Sequence, residues 1–119
     1  MRKITIAIAL LLATLPGQSL ACSPIRPSEA IGSDAERVLI GVTTSRSRMS
    51  GRPFEALVDI SIVEVVKGRA VKTITAFSPC ALPFKRGDKV VAVSVNKHWI
   101  AYPSDMYEKP IRAGARNGR

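Results

Sequence analysis

The chain has 119 residues, 23% of them charged, and a formal net charge of +9. This length corresponds to one domain, and the sequence contains no CxxC, HExxH or phosphate-cradling glycine loop, which argues against the common metal and nucleotide sites. The positive charge favours anionic partners. The basic residues are scattered along the chain, however, and solubility alone would also account for them.

The first 21 residues have the features of an export signal. Arg2 and Lys3 precede the apolar run ITIAIALLLATL, which at about twelve residues is short of the roughly 20 that span a bilayer. Small residues, Ser19 and Ala21, occupy the two positions that a signal peptidase reads. We therefore expect a signal peptide over residues 1–21, cleavage after Ala21, and a periplasmic or secreted protein.

Cleavage would make Cys22 the first residue of the mature chain. The remaining 98 residues lose Arg2 and Lys3 and no acidic residue, so the net charge falls from +9 to +7. A cysteine at this position can carry the lipid of a bacterial lipoprotein, but Ser19 stands where the lipobox prefers leucine. In an oxidising compartment the only two cysteines, Cys22 and Cys80, are more simply explained as one disulfide. Both alternatives stay open.

The first half of the mature chain predicts a short helix and two strands. Ser28 is a suitable N-cap for one or two helical turns. Residues 38–44 are β-branched and apolar and predict a strand, in which Gly41 marks a bulge or a sharp bend. In FEALVDISIVEVVKG, apolar residues alternate with others at period two from Val58 to Ile62, which is typical of a half-buried strand.

The second half predicts three more strands and a tail. AVKTITAF is a return strand, and the loop after it carries Cys80. VVAVSV is a buried strand, and NKHWIAYP is a last strand entered through a tight turn at Asn96 and Lys97. Residues 104–119 have little apolar content and predict a basic disordered tail. We therefore expect an all-β domain over residues 22–103, a five-stranded Greek-key OB-fold barrel with a short N-terminal helical turn.

The candidate catalytic residues are few. His98 stands beside Trp99 with no nucleophile or orienting group that the sequence would bring near it, and the carboxylates have no metal-ligand spacing. We predict a protein that is not an enzyme and needs no cofactor. Aromatic residues with nearby lysines and arginines could form a stacking surface, but a core position for Trp99 is favoured and no nucleic-acid partner is expected. The residues of this candidate surface are Trp99, Tyr102, Tyr107, Lys85, Arg86, Lys89 and Lys97.

The order of these elements resembles a known module. A mature N-terminal CSP is followed by AERVLIGVTT, a long strand ending in VEVVKG, then SPC and GDKVVAVSV. Across residues 22–102 this resembles the netrin-like module of the tissue inhibitors of metalloproteinases, in its short bacterial form. The resemblance implies an OB barrel in which Cys22 is bridged to Cys80.

The resemblance also implies a function. In the animal inhibitors, the free amino group and the carbonyl of the first cysteine chelate the zinc of a metalloprotease, which a five-membered chelate ring can do at an open zinc position. Carried over, Cys22 would be the chelator in trans, and Ser23 and Pro24 would contact the protease. The family begins Cys-x-Cys, whereas Pro24 stands in place of the second cysteine here, and the family's third bridge and C-terminal subdomain are absent.

A second function class follows from the other fate of Cys22. A lipid-anchored envelope protein would present its basic surface to anionic lipid or glycan. Lipidation would remove the free amino group, so the two functions exclude each other. The expected partner is therefore either a protein, most specifically a metalloprotease, or an anionic envelope surface.

Overall fold

A computed structural model describes residues 26–53 and 55–117. The elements, in chain order, are α1 (Glu29–Asp34), β1 (Arg37–Thr43), β2 (Arg48–Met49), β3 (Glu55–Lys67), β4 (Thr73–Pro79), β5 (Lys89–Val95), β6 (His98–Pro103) and α2 (Ser104–Asn117). The predicted signal peptide, with its cleavage site, lies outside the described residues. Within the described ranges no helix combines the length and the apolar character needed to cross a membrane.

The fold is mostly β and is built on a closed five-stranded barrel. The strands are hydrogen-bonded in the order β1-β5-β6-β4-β3, and β1 pairs again with β3 to close the ring. The two-residue strand β2 lies between β1 and β3 in the chain and pairs with β3. All pairings are antiparallel except that of β4 with β6. The prediction of five main strands is confirmed.

The length of β3 allows one strand to serve two neighbours. Its first half pairs with β4, from Glu55 to Ser61, and its second half pairs with β1, from Ile60 to Lys67. Gly41 lies at a register shift between β1 and β3, and a Cβ atom there would be 2.5 Å from Cγ2 of Ile60. The prediction that Gly41 marks an irregularity is confirmed, and its cause is the close approach of the two strands.

Strand β5 is buried on both faces, which explains its continuous apolar sequence. Alternate residues point into the barrel and toward the helices, as the period of two requires. The barrel interior contains Val58, Ile60, Ala76, Phe84, Val90, Ala92 and Ala101. The second cluster, beneath the helices, contains Ala35, Val38, Ile40, Val91, Val93, Tyr102, Tyr107, Ile111 and Ala115.

The prediction of a disordered tail was wrong. Residues 104–117 form helix α2, whose buried residues Tyr107, Ile111 and Ala115 recur every four positions and so lie on one face. Tyr107 stacks on Tyr102 with the ring centroids 4.7 Å apart. The low apolar content and the internal Pro110 made a helix hard to predict from the sequence. The three buried side chains on one face of α2 are nevertheless enough to cover the outer face of β5.

Helices α1 and α2 cross in close contact through two glycines. A Cβ atom on Gly32 would be 2.0 Å from the carbonyl oxygen of Ile111, and one on Gly114 would be 1.7 Å from that of Glu29. Helix α1 begins after Ser28 as predicted, although the Ser28 side chain makes no capping hydrogen bond. The α1 backbone therefore lies directly on the α2 backbone.

A ladder of charged side chains fixes the outer face of α2 to the barrel. Arg112 donates to both carboxylate oxygens of Glu64, at 2.5 and 2.6 Å, and to Glu108 at 2.9 Å. Glu108 also accepts hydrogen bonds from Ser104, at 2.5 Å, and from Lys89, at 3.1 Å. The helix is thus held by burial on one face and by ion pairs with two strands on the other.

Candidate functional site: the Cys80 loop

The predicted protease-contacting residues and the predicted disulfide partner of Cys22 fall in two places. Cys22, Ser23 and Pro24 lie outside the described residues, so their roles and the pairing of Cys22 stay predictions. Cys80 follows β4 directly and is half-buried. It begins the segment of residues 80–88, called the Cys80 loop below, which crosses one end of the barrel on its way to β5.

The Cys80 loop begins with a tight turn of unusual composition. Cys80 and Ala81 have φ angles of 58° and 52°, and the amide of Leu82 donates to the carbonyl of Pro79 at 3.3 Å. Two successive left-handed residues define a type I′ turn, a position that asparagine and glycine normally occupy. The turn fixes the direction in which the Cys80 side chain leaves the backbone.

Ser47, in the β1–β2 connection, ties the middle of the loop to the barrel. Its hydroxyl donates to the carbonyl of Leu82 at 2.9 Å and accepts from the amide of Phe84 at 2.9 Å, while its own amide donates to the carbonyl of Phe84 at 3.1 Å. Ser78 also donates to the Leu82 carbonyl, at 2.8 Å. These bonds give a segment without regular secondary structure the partners that a strand would have had.

Thr43, at the end of β1, holds the second half of the loop in the same way. Its hydroxyl donates to the carbonyl of Lys85 and accepts from the amide of Asp88 at 2.9 Å. Its carbonyl accepts from the amide of Gly87 at 2.9 Å, and the Asp88 carboxylate accepts from the Lys85 amide at 2.8 Å. Thr43 is only 2% exposed, so water competes little for these bonds.

Phe84 anchors the loop from below. Its side chain, 7% exposed, packs in the barrel interior with Val58 and Val90. On the other side of Phe84 a shallow groove of about 410 Å³ separates the loop from the start of α2. The groove is lined by Phe84, Asp88, Lys89, Pro103, Ser104 and Asp105. The loop therefore presents a fixed ridge beside a groove.

Asp59 supports the same end of the barrel from the outer face of β3. It accepts two hydrogen bonds from Arg48, at 3.0 and 3.2 Å, and one from Thr75 at 2.7 Å. The Arg48 hydrogen bond is the largest cause of a lowered pKa for this carboxyl, and the Thr75 bond adds to it. Asp59 thereby joins β2 to β3 and β4. The Ser45 hydroxyl, in the β1–β2 connection, also donates to the Asp59 carboxylate at 3.4 Å, which helps to hold the connection that carries Ser47.

Sequence reasoning identified Cys80 and missed the residues that hold its loop. Thr43, Ser47 and Ser78 are ordinary hydroxyl residues, and the partners of Thr43 and Ser47 lie 35 to 45 positions away. The spacing of residues along the sequence does not indicate contacts between positions so far apart. Once β1 and the loop are assigned to one end of a barrel, hydroxyls at strand ends become reasonable candidates for bonding loop carbonyls.

The alternative stacking surface is not assembled. Tyr102 and Tyr107 are buried in the core, where desolvation is the main cause of a raised pKa for Tyr102. Lys89 is paired with Glu108. Trp99 is only half-buried and packs at the edge of the interior cluster, so the core position favoured for it holds in part.

His98 is an exposed strand residue, with its ring centroid 5.9 Å from that of Phe77. Among residues 26–53 and 55–117, no group of three histidine, cysteine or acidic side chains is placed to hold a metal ion. Neither a protein-family model nor a curated protein matches the sequence.

Proposed function

We propose that this protein is an exported, non-enzymatic binding module of netrin-like type, in which a Cys22–Cys80 disulfide holds the mature N-terminus against the Cys80 loop. The observation that carries the proposal is the dense hydrogen bonding of that loop to Thr43, Ser47 and Ser78 at the end of a closed five-stranded barrel. A loop whose turn, amides and carbonyls are already fixed can hold an attached terminus with little further loss of entropy on binding.

The strand order supports an OB-type barrel. The five long strands, in sequence order, are β1, β3, β4, β5 and β6. Strand β3 pairs with β1 and β4, and β5 pairs with β1. Strand β6 completes the ring by pairing with both β5 and β4. This is a five-stranded Greek-key arrangement closed by a parallel pair, as in the barrel that the resemblance implies. Cys80 follows the third long strand, at the position that the resemblance assigns to the partner of the N-terminal cysteine.

The sharpest form of the function is inhibition of a metalloprotease. The amino group and carbonyl of Cys22 would chelate the zinc of the protease, and Ser23 and Pro24 would enter its cleft. A preorganised ridge is what such an inhibitor needs, because binding then avoids the cost of ordering a flexible strand. With Pro24 in place of a second cysteine, the Cys80 loop would be the main rigid support.

An extension of the N-terminus by one alanine tests this function. We expect the mature protein beginning at Cys22 to inhibit a member of a panel of zinc metalloproteases, and the extended protein to lose at least about tenfold in affinity because the chelating amine is displaced. The inhibition constants of both proteins give the comparison. The matched control is the same extension at the C-terminus, which should change nothing.

Two results would count against chelation. One is equal inhibition by the mature and the N-terminally extended proteins, with equal melting temperatures. The other is a lack of inhibition by the mature protein against the whole panel, which would leave the lipid-anchored envelope protein as the better account of Cys22.

A further inference from the structure

A second cleft lies at the end of β3 that is remote from the Cys80 loop. It has a volume of about 610 Å³, within the range of small-ligand sites. The residues around it come from the start of β1, the turn after β3, and the β5–β6 hairpin. They are Glu36, Arg37, Gly68, Arg69, Ser94 and Lys97.

Arg37 is held in this cleft by apolar contacts. Its guanidinium carbon is 4.6 Å from the ring centroid of Trp99, in a cation–π arrangement. Its stem lies against Gly68, where an added Cβ atom would be 2.4 Å from Cγ of Arg37. No ion pair among the described residues engages the Arg37 guanidinium, so its N–H groups are available to a ligand.

The positive charges of the cleft are not neutralised by the residues that the structure describes. Among the described residues, the basic side chains that form ion pairs are Arg48, Lys89 and Arg112, all outside the cleft. Arg37, Arg69 and Lys97 form none. The one carboxylate of the cleft belongs to Glu36, which accepts the backbone amide of Lys97 at 3.2 Å. Three cations against one carboxylate leave a formal charge of +2 around one concave surface.

We infer that this cleft binds a phosphomonoester group. A phosphate dianion matches the excess of two charges and offers the planar fork of Arg37 two oxygens at once. Arg69 and Lys97 are exposed and flank the cleft, so they can close on the remaining oxygens. The group can belong to a soluble phosphate ester or to a lipid headgroup.

This site is independent of the proposed protease contact. None of the described residues that line it belongs to the Cys80 loop, and it lies at the opposite end of β3. A protein that failed to inhibit any protease could still bind phosphate here, and the converse also holds. The two proposals therefore stand or fall in separate experiments.

The single tryptophan of the chain makes the test direct. Inorganic phosphate is titrated into the purified mature protein at about pH 8 and low salt, where the ligand is mostly a dianion and screening is weak. We expect a saturable change in Trp99 fluorescence, and isothermal titration calorimetry gives the same dissociation constant independently. Sodium chloride at equal ionic strength should produce no saturable change.

Three variants locate the binding. Arg69→Ala and Lys97→Ala each remove an exposed charge from the cleft and should weaken binding by about tenfold. Arg52→Ala is the matched control. Arg52 is an exposed positive residue just before the start of β3, whereas the cleft lies at the end of β3, so this variant should leave the dissociation constant unchanged. Both cleft residues are exposed, so the melting temperatures of their variants should stay near that of the parent protein.

A vesicle arm separates the two sources. Vesicles of phosphatidylcholine with phosphatidate present a phosphomonoester as a lipid headgroup. If the protein sediments with these vesicles and inorganic phosphate abolishes the sedimentation, the site binds a lipid. Binding of phosphate without vesicle sedimentation would assign it to soluble esters. A lack of saturable phosphate binding, or equal binding by all three variants and the parent protein, would overturn the inference.

Discussion

Gly114 and Gly32 allow the two helices to touch along their backbones. Each lies where a methyl group would overlap a carbonyl of the facing helix. Neither glycine stands out in the sequence, because Gly32 is in a short polar segment and Gly114 is near a basic end with an internal proline. Gly41, by contrast, was recognisable as an irregularity since it interrupts a β-branched run. A single glycine is informative only when the element around it is already assigned.

The Gly114→Ala substitution should destabilise the protein. Alanine gains about 1 kcal/mol in helix propensity, but its methyl group would meet the Glu29 carbonyl and force the helices apart, at a cost of about 1–3 kcal/mol. We expect a net decrease in the free energy of unfolding, measured by urea denaturation. Arg116→Ala, at an exposed position of the same helix, is the control. An unchanged or increased stability of Gly114→Ala would show that the helices do not cross as described.

At the scale of elements, the strands were predictable and the last helix was not. The period of two in β3 and the apolar run of β5 each reflect a burial pattern that the sequence must repeat along several residues. Helix α2 needs only Tyr107, Ile111 and Ala115 to cover the barrel. It also contacts helix α1 through Gly114 and forms ion pairs with β3 and β5. Such long-range charge pairs have no signature in a single sequence. The same holds for the hydroxyl contacts of the Cys80 loop.

Glu108 makes the docking of α2 sensitive to pH. The Ser104 hydroxyl is the largest cause that lowers the pKa of this carboxyl to about 2, and hydrogen bonds from Lys89 and Arg112 lower it further against the effect of partial burial. A depressed pKa in the folded protein means that the stabilisation is complete above the unfolded pKa, near 4.5, and is lost as the pH falls toward 2.

The Glu108→Gln substitution tests this dependence. At about pH 7 we expect it to lower the free energy of unfolding by about 1–2 kcal/mol, the range for a charge-assisted bond at a partly exposed site. The difference between the variant and the parent protein should shrink as the pH falls from about 4.5 to 2. Urea denaturation at several pH values measures it. A difference that stays constant over this range would mean that the carboxylate charge does not hold the helix.

At the scale of the whole molecule, the barrel has two ends with different chemistry. One end bears the rigid Cys80 loop, to which the proposed disulfide would attach the mature N-terminus, and the other bears the basic cleft around Arg37. A Cys22–Cys80 bridge would close a loop of about 58 residues, worth about 4 kcal/mol in the chain-entropy model, a large part of the stability of a small domain. The proposed function therefore depends on the chemical state of Cys22.

The intact mass of the protein from its native host, before and after reduction and alkylation, tests that state most directly. We expect a chain that begins at unmodified Cys22 and takes up two alkyl groups only after reduction. A mass increased by a lipid, with Cys80 alkylated without reduction, would contradict this expectation. That result would rule out zinc chelation by Cys22 and make the protein a lipid-anchored one.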